Sequence, residues 1–364
     1  MGRGVIMVEI RVEKVTHIYI DKIETIALKD VSIVFPKGKI IGILGPSGCG
    51  KTTLLKIIAG LLRPTKGKVF FDDKDVTDWD PIRRNVAMVF QFPVAYDMSI
   101  YDNIAFPLKI RKYPKEEIDK RVKEAAEILG IPKDILSKSA RGADPSLRQK
   151  IAVARAIVRD ANVLLLDEPL TNLEPLVRIE LKSKLKEIVQ KMKITTLYVS
   201  HDQAEVLTLA EKVAVMNEGK VVQYDDTSIL YEYPKNKFVG YFIGNPGMNY
   251  ISCVLENNVL DCGAFKYRLM ANEIEVLSKA GREFDIGIRP EHIKISKERG
   301  EISGRTAIIE KIGTAILYHV ELSTGQMISI KAYEQLDIKE GDIVFITLPR
   351  EKVRIFSKDG ERLI

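Results

Sequence analysis

From Val8 to Phe35 apolar and polar residues alternate with the period of two that a half-buried strand imposes, and the break near Tyr19-Ile20-Asp21-Lys22 predicts a turn between antiparallel strands. The alternation gives way to Lys39-Ile40-Ile41-Gly42-Ile43-Leu44, an apolar run that predicts a buried strand. Leu54, Leu55, Ile58, Leu61 and Leu62 then recur at helical spacing, and Pro64 with Gly67 predicts the end of that helix. Charged helical patterns over Lys115 to Ile131 and Gln149 to Arg159 precede a second apolar run, Val163-Leu164-Leu165-Leu166. This order predicts an α/β core interrupted by a helical arm over about residues 92–160. Leu197-Tyr198-Val199-Ser200 and Lys212-Val213-Ala214-Val215-Met216 add two strands. Near Asn245-Pro246-Gly247 the texture changes to short alternating segments, Glu283 to Ile288, Arg305 to Ile312, Ala315 to Leu322 and Asp342 to Leu348, separated by Gly, Asn and Asp. That spacing predicts a small all-β module of barrel type. The expected organisation is an α/β domain over residues 1–244 and a β domain over 245–364.

Length agrees with two domains, because 364 residues exceed the roughly 250 to 300 at which a single core stops growing. The net charge of +6 is mild and spread along the chain, so it permits anionic partners without demanding them. Cys49, Cys253 and Cys262 are too few and scattered for a disulfide framework, which implies unpaired thiols in a reducing cytosol. No His pair has metal-ligand spacing, the N-terminal Met1 to Ile6 lacks the apolar run of a signal peptide, and no stretch is long enough to span a membrane. A membrane role is therefore expected only through partners.

The strongest chemical signal is Gly45-Pro46-Ser47-Gly48-Cys49-Gly50-Lys51-Thr52, followed by Thr53, which fits a P-loop between a strand and a helix. Its glycines let backbone N–H groups turn toward phosphate oxygens, a helix beginning near Gly50 adds positive potential, Lys51 is expected to bridge the β and γ phosphates, and Thr52 to ligate Mg²⁺. Asp167 and Glu168 end the second apolar strand, where alternation along a strand separates their tasks. Asp167 is the expected Mg²⁺ partner and Glu168 is placed to orient or deprotonate an attacking water. His201, after a strand end, would face the γ-phosphate. Gln91 would touch Mg²⁺ or the water, and Tyr19, in a turn ahead of the core, could stack on adenine. ATP and Mg²⁺ are the expected ligands.

In order and approximate spacing these residues resemble the ATP-binding-cassette transporter ATPases, with Thr171-Asn172-Leu173-Glu174 in the place of the D-loop and Ser200-His201-Asp202-Gln203-Ala204-Glu205 in that of the switch. Val89 to Leu108, Tyr224 to Tyr233, Phe242 to Asn249 and Gly287-Ile288-Arg289-Pro290-Glu291-His292 look like the subgroup that energises importers of carbohydrates and related solutes. The resemblance implies an OB-like regulatory β domain at the C-terminus. It also implies a cytoplasmic-face location, two transmembrane permease subunits, a second cassette subunit and an external solute-binding protein served indirectly.

One segment departs from the family pattern. Ala143-Asp144-Pro145-Ser146-Leu147 stands where Leu-Ser-Gly-Gly-Gln usually caps the γ-phosphate held by the opposite subunit. Asp144 would aim a carboxylate at that anion, a repulsion of roughly 4 kcal/mol at about 4 Å with an effective dielectric near 20. Pro145 removes a backbone donor, neither it nor Ser146 permits glycine's close approach, and Glu174 replaces the usual shorter Asp. A heterodimer is favoured over a homodimer, the partner supplying the intact signature. Two alternatives carry weight: a nucleotide-gated regulatory subunit with little hydrolysis, and a soluble non-transport cassette ATPase. The second is disfavoured by a single P-loop and no concentrated basic stripe, so no nucleic-acid partner is expected.

Overall fold

The computed structural model describes residues 7–20, 24–171 and 173–364. The readings made on Met1 to Ile6, on Asp21 and Lys22, and on Asn172 lie outside the described residues. By internal packing the chain divides into two compact units, the first ending at Thr227 and the second spanning Ser228–Ile364.

The first unit holds two sheets. Strands Ile10–Ile20 and Glu24–Phe35 form a long antiparallel pair, joined by Lys66–Phe71 and Lys74–Asp75. Tyr19 belongs to the first of these strands, opposite Thr25, and not to the turn expected for it. The second sheet orders Lys220–Asp226, Lys212–Asn217, Ile40–Leu44, Thr195–Val199, Val163–Asp167 and Val86–Val89, parallel except for the first pair. Every residue of Ile40–Leu44, Val163–Asp167 and Thr195–Val199 is buried. A parallel sheet covered on both faces demands this, which is why these strands read as apolar runs. Ile10, Val12 and Phe35 of one sheet, Leu165, Leu197 and Val199 of the other, and Leu54, Leu55 and Ile58 of the helix after the P-loop share one core.

That helix, Lys51–Ala59, is shorter than its periodicity implies. Gly60 ends it in a left-handed conformation, so Leu61 and Leu62 fall beyond it and Pro64 and Gly67 play no part in stopping it. Its last carbonyls are held by Arg84, 1% exposed, whose Nη1 donates to Ile57 O at 2.6 Å and Ile58 O at 2.9 Å. Nη2 and Nε donate to Thr77 O and Trp79 O. The helical arm consists of Ile100–Ile110, Lys115–Ile128 and Pro145–Ile157.

The second unit is two five-stranded antiparallel sheets around one core that includes Ile251, Leu260, Ile286, Tyr318, Val320 and Ile346. Packing draws the helix Lys237–Phe242, and all but the first residue of Thr227–Glu232, into this unit, where they are fastened to the β strands. Arg289, 1% exposed, donates to Tyr231 O, Gly240 O and Ile243 O. The expectation of unpaired thiols is corrected here: Cys253 and Cys262 form a disulfide. The hairpin of Asn249–Glu256 and Val259–Asp261 pairs Val254 with Asp261, so the next positions outward, Cys253 and Cys262, come face to face. Spacing along the sequence conceals a pairing that strand register creates.

Candidate nucleotide site

The parallel strands deliver the predicted residues to one edge of the sheet, at their carboxyl ends, where α/β sheets bind ligands. Ile40–Leu44 runs into the P-loop, Val86–Val89 leads to Gln91, Val163–Asp167 to Glu168, and Thr195–Val199 to His201. Gly50 takes a φ of 103°, and a Cβ there would stand 2.3 Å from Ala27 O, so only glycine lets the loop enter its helix at this point. A Cβ at Gly48 would meet nothing within 4 Å, which leaves that stretch of backbone open to an incoming group. The N-cap of the helix Lys51–Ala59 is Gly50, which has no side chain to bond the helix's first amides, so among the described residues these point into the loop without a cap. Lys51 is 7% exposed and its Nζ donates to Gly45 O at 2.8 Å and Pro46 O at 2.9 Å, an ammonium held by the loop's own carbonyls. Burial pushes the neighbouring Cys49 thiol up from its usual range. Open backbone, uncapped amides and a buried ammonium fit a polyphosphate.

Thr52 Oγ1 donates to Asp167 Oδ1 at 3.1 Å, and Asp167 is 3% exposed. Burial pushes its carboxyl up from the ordinary value, and the nearby Glu168 acts in the same direction. A buried carboxylate touching a hydroxyl is a hard-oxygen pair suited to a small divalent cation. No cluster of three or more His, Cys, Asp or Glu that could hold a metal occurs among the described residues.

Glu168 is no longer part of its strand. Its amide still bonds Val199 O across the sheet at 2.9 Å, but its φ of 49° is left-handed and Thr171 N donates to its carbonyl at 3.3 Å, so a turn, not strand alternation, separates its direction from that of Asp167. Gln91 Nε2 donates to Glu168 Oε2 at 2.8 Å, Thr171 Oγ1 donates to the same oxygen at 3.2 Å, and His201 Nδ1 lies 3.2 Å from it. Gln91 and His201 thus meet at one carboxylate oxygen. Tyr19 joins the P-loop side, its hydroxyl 3.2 Å from Thr53 Oγ1 and its ring edge-on to His17.

Two groups escaped the sequence reading. Glu205 is 4% exposed and accepts from Tyr198 OH at 2.5 Å and Ser200 Oγ at 2.6 Å. Asp202 N donates to Ser200 Oγ and Glu205 N to Asp202 Oδ1, so this buried acid clamps the turn that carries His201. Its signal was the acid three residues after Asp202, the pattern of a helix start. Arg84 carries no such signal, since an arginine in a polar stretch reads as exposed.

Ala143 to Leu147 begins the helix Pro145–Ile157. Asp144 is its N-cap, Oδ1 accepting from Leu147 N at 3.0 Å, and Arg148 Nε donates to Ala143 O at 2.6 Å. The carboxylate is therefore turned onto its own helix and not simply outward, while Ser146 is half-buried. This helix end already holds an anion, the opposite of the uncapped P-loop helix.

A P-loop strand–loop–helix at the carboxyl edge of a parallel sheet, a helical arm and acids at the end of the strand one removed from it define a nucleotide-binding cassette with ATPase chemistry. Residues 28–171 match the ABC transporter model, 244–293 the MalK OB fold domain and 286–356 the TOBE domain. The chain is 38% identical to the trehalose/maltose import ATP-binding protein MalK of Thermococcus litoralis over 94% of this chain and 96% of that one. It is 37% identical to the oligosaccharides import ATP-binding protein MsmX of Bacillus subtilis (98% and 99% covered), and 36% identical to the sn-glycerol-3-phosphate import ATP-binding protein UgpC of Yersinia pestis (92% and 94%). A dimeric ATP-binding cassette solved in a post-hydrolysis state with ADP and Pi superposes with a TM-score of 0.55 at 27% identity, covering 60% of this chain and 98% of that one. The chain belongs to the ABC transporter family, as a nucleotide-binding ATPase subunit with a C-terminal OB-type β domain.

Proposed function

We propose that this chain is the motor of a membrane importer for a sugar or a related solute, working at the cytoplasmic face of the membrane against two permease subunits, with an external solute-binding protein upstream. The observation that carries the mechanism is the convergence of Gln91, Thr171 and His201 on Glu168, beside the Thr52–Asp167 pair and the P-loop. Lys51 and the amides of the P-loop helix grip the β and γ phosphates. Thr52 and Asp167 hold Mg²⁺, which when bound neutralises phosphate charge. Glu168 orients the attacking water and accepts its proton, Gln91 and His201 register the γ-phosphate, and Tyr19 packs against adenine. Likeness to import subunits over nearly the whole chain supports the transport role.

The cap segment favours a second cassette subunit that differs from this one. In such a heterodimer this chain gives its P-loop and Glu168 to the site completed by the partner's signature, while the site capped by Asp144 binds nucleotide without productive turnover. If both sites were capped as here, the chain would act as a nucleotide-gated regulator with little hydrolysis, and the cap bonded to Leu147 N is what favours that second reading. Solute-stimulated ATPase of the assembled complex in vesicles separates them: turnover that disappears with Glu168→Gln is expected, and negligible turnover at saturating solute would overturn the motor assignment.

A further inference from the structure

The reading of Glu168 above leaves one of its three partners without a task. Thr171 donates to Oε2, the oxygen that Gln91 and His201 also contact, whereas among the described residues no side chain is seen on Oε1. We propose that Thr171 is a positioning residue for ATP hydrolysis, its hydroxyl anchoring Oε2 of Glu168 so that Oε1 is the oxygen presented to water.

The three partners are not equivalent. Gln91 and His201 reach Glu168 from the ends of two other strands, so each contact depends on a loop distant in sequence. Thr171 lies three residues on, and its amide donates to Glu168 O at 3.3 Å, closing a turn that starts at the left-handed Glu168. The reach of its hydroxyl is therefore fixed by local chain geometry. When Gln91 or His201 turns to substrate, Thr171 is the partner that stays. A carboxylate bonded through one oxygen has its free lone pairs aimed in a set direction, and general-base efficiency follows that geometry. At 3.2 Å the contact is longer than a strong charge-assisted bond, so its effect is on the direction of the carboxylate, and losing it is expected to register in the rate more than in stability.

The inference rests on Glu168 being the base, and the test separates the two claims. In the assembled complex with its permeases, Mg-ATP turnover is measured for Thr171→Val and Thr171→Ser beside Glu168→Gln, with melting temperatures for each. The expected result for Thr171→Val is a fall in kcat of about tenfold or more, ~1.4 kcal/mol in the barrier, with KM within about threefold and melting unchanged. Thr171→Ser restores kcat to within about threefold. Wild-type kcat in Thr171→Val overturns the inference, as does a change confined to KM or a loss that serine fails to rescue. If Thr171→Val does not assemble, Thr171→Ala against Thr171→Ser decides on the same criteria. Turnover in Glu168→Gln equal to wild type would instead remove the base assignment itself.

Discussion

Asp144 makes opposite contributions to fold and function, so its substitutions should part the two. Replacing it by alanine removes the Leu147 N acceptor and the negative charge at the start of Pro145–Ile157. Loss of an N-cap costs about 1 kcal/mol, and the charge–dipole contribution adds about 0.3 to 1 kcal/mol. Serine keeps a capping oxygen, so Asp144→Ser should lie within about 0.5 kcal/mol of wild type. Across a closed dimer the carboxylate repels the opposing γ-phosphate by about 4 kcal/mol at 4 Å with a dielectric of 20, and by about 1 kcal/mol at 7 Å with a dielectric of 40. Removing it is therefore expected to strengthen ATP-driven self-association by about 5- to 1,000-fold, less whatever Pro145 withholds by lacking an N–H. The assay is sedimentation of the Glu168→Gln protein with Mg-ATP, with and without Asp144→Ser, beside urea melts of all variants. Equal association with and without Asp144→Ser, or an Asp144→Ala protein as stable as wild type, would refute the argument from charge and cap.

Other perturbations follow from the same geometry. Asp167→Asn should abolish Mg-ATP hydrolysis yet leave the ligand-free protein at least as stable as wild type at pH 7. Burial raises the folded carboxyl above its ordinary 3.8, so its stabilising contribution is complete below that value and is lost as pH rises through the folded value. Melting curves from pH 4 to 8 should show the variant's advantage growing over that window. Arg84→Ala removes a donor from four carbonyls, including those near the end of the P-loop helix, and is expected to lower stability by about 3 kcal/mol and weaken nucleotide binding, read by calorimetry. Cys253→Ser opens a loop with a sequence separation of 9, and should destabilise the β domain by about 2 to 3 kcal/mol with little change in ATP affinity.

What the sequence disclosed was what local chemistry dictates. The buried strands show as apolar runs because a parallel sheet is covered on both faces, and the P-loop shows because its glycines answer to backbone geometry within a few residues. That Gln91, Glu168 and His201 stand just past strand ends, and Asp167 at one, was legible because the pattern marks those strands. Gly60 as a helix stop was overlooked in favour of Pro64, although it stood inside the periodic stretch. The buried bonds of Arg84 and Arg289 were not legible, because their acceptors are carbonyls brought close only by folding, and Glu205, though its spacing from Asp202 marks a helix start, does not show in sequence that it is buried against Tyr198 and Ser200. Strand register hid the Cys253–Cys262 pair, and the clasp of Arg289 on Tyr231, Gly240 and Ile243 joins two distant stretches of sequence. The sequence aims the Asp144 carboxylate at an opposing phosphate or, alternatively, away from it; the structure has it cap its own helix, for which a residue before a proline-started helix is well placed.

The central claim is that Glu168 readies water over a phosphate chain gripped by Lys51. Its most direct test is a paired measurement on the assembled complex: ATP affinity by calorimetry and single-turnover hydrolysis, for wild type and Glu168→Gln. The account expects affinity within a few-fold of wild type and hydrolysis slowed by about 100-fold or more. Hydrolysis at the wild-type rate in Glu168→Gln would contradict it.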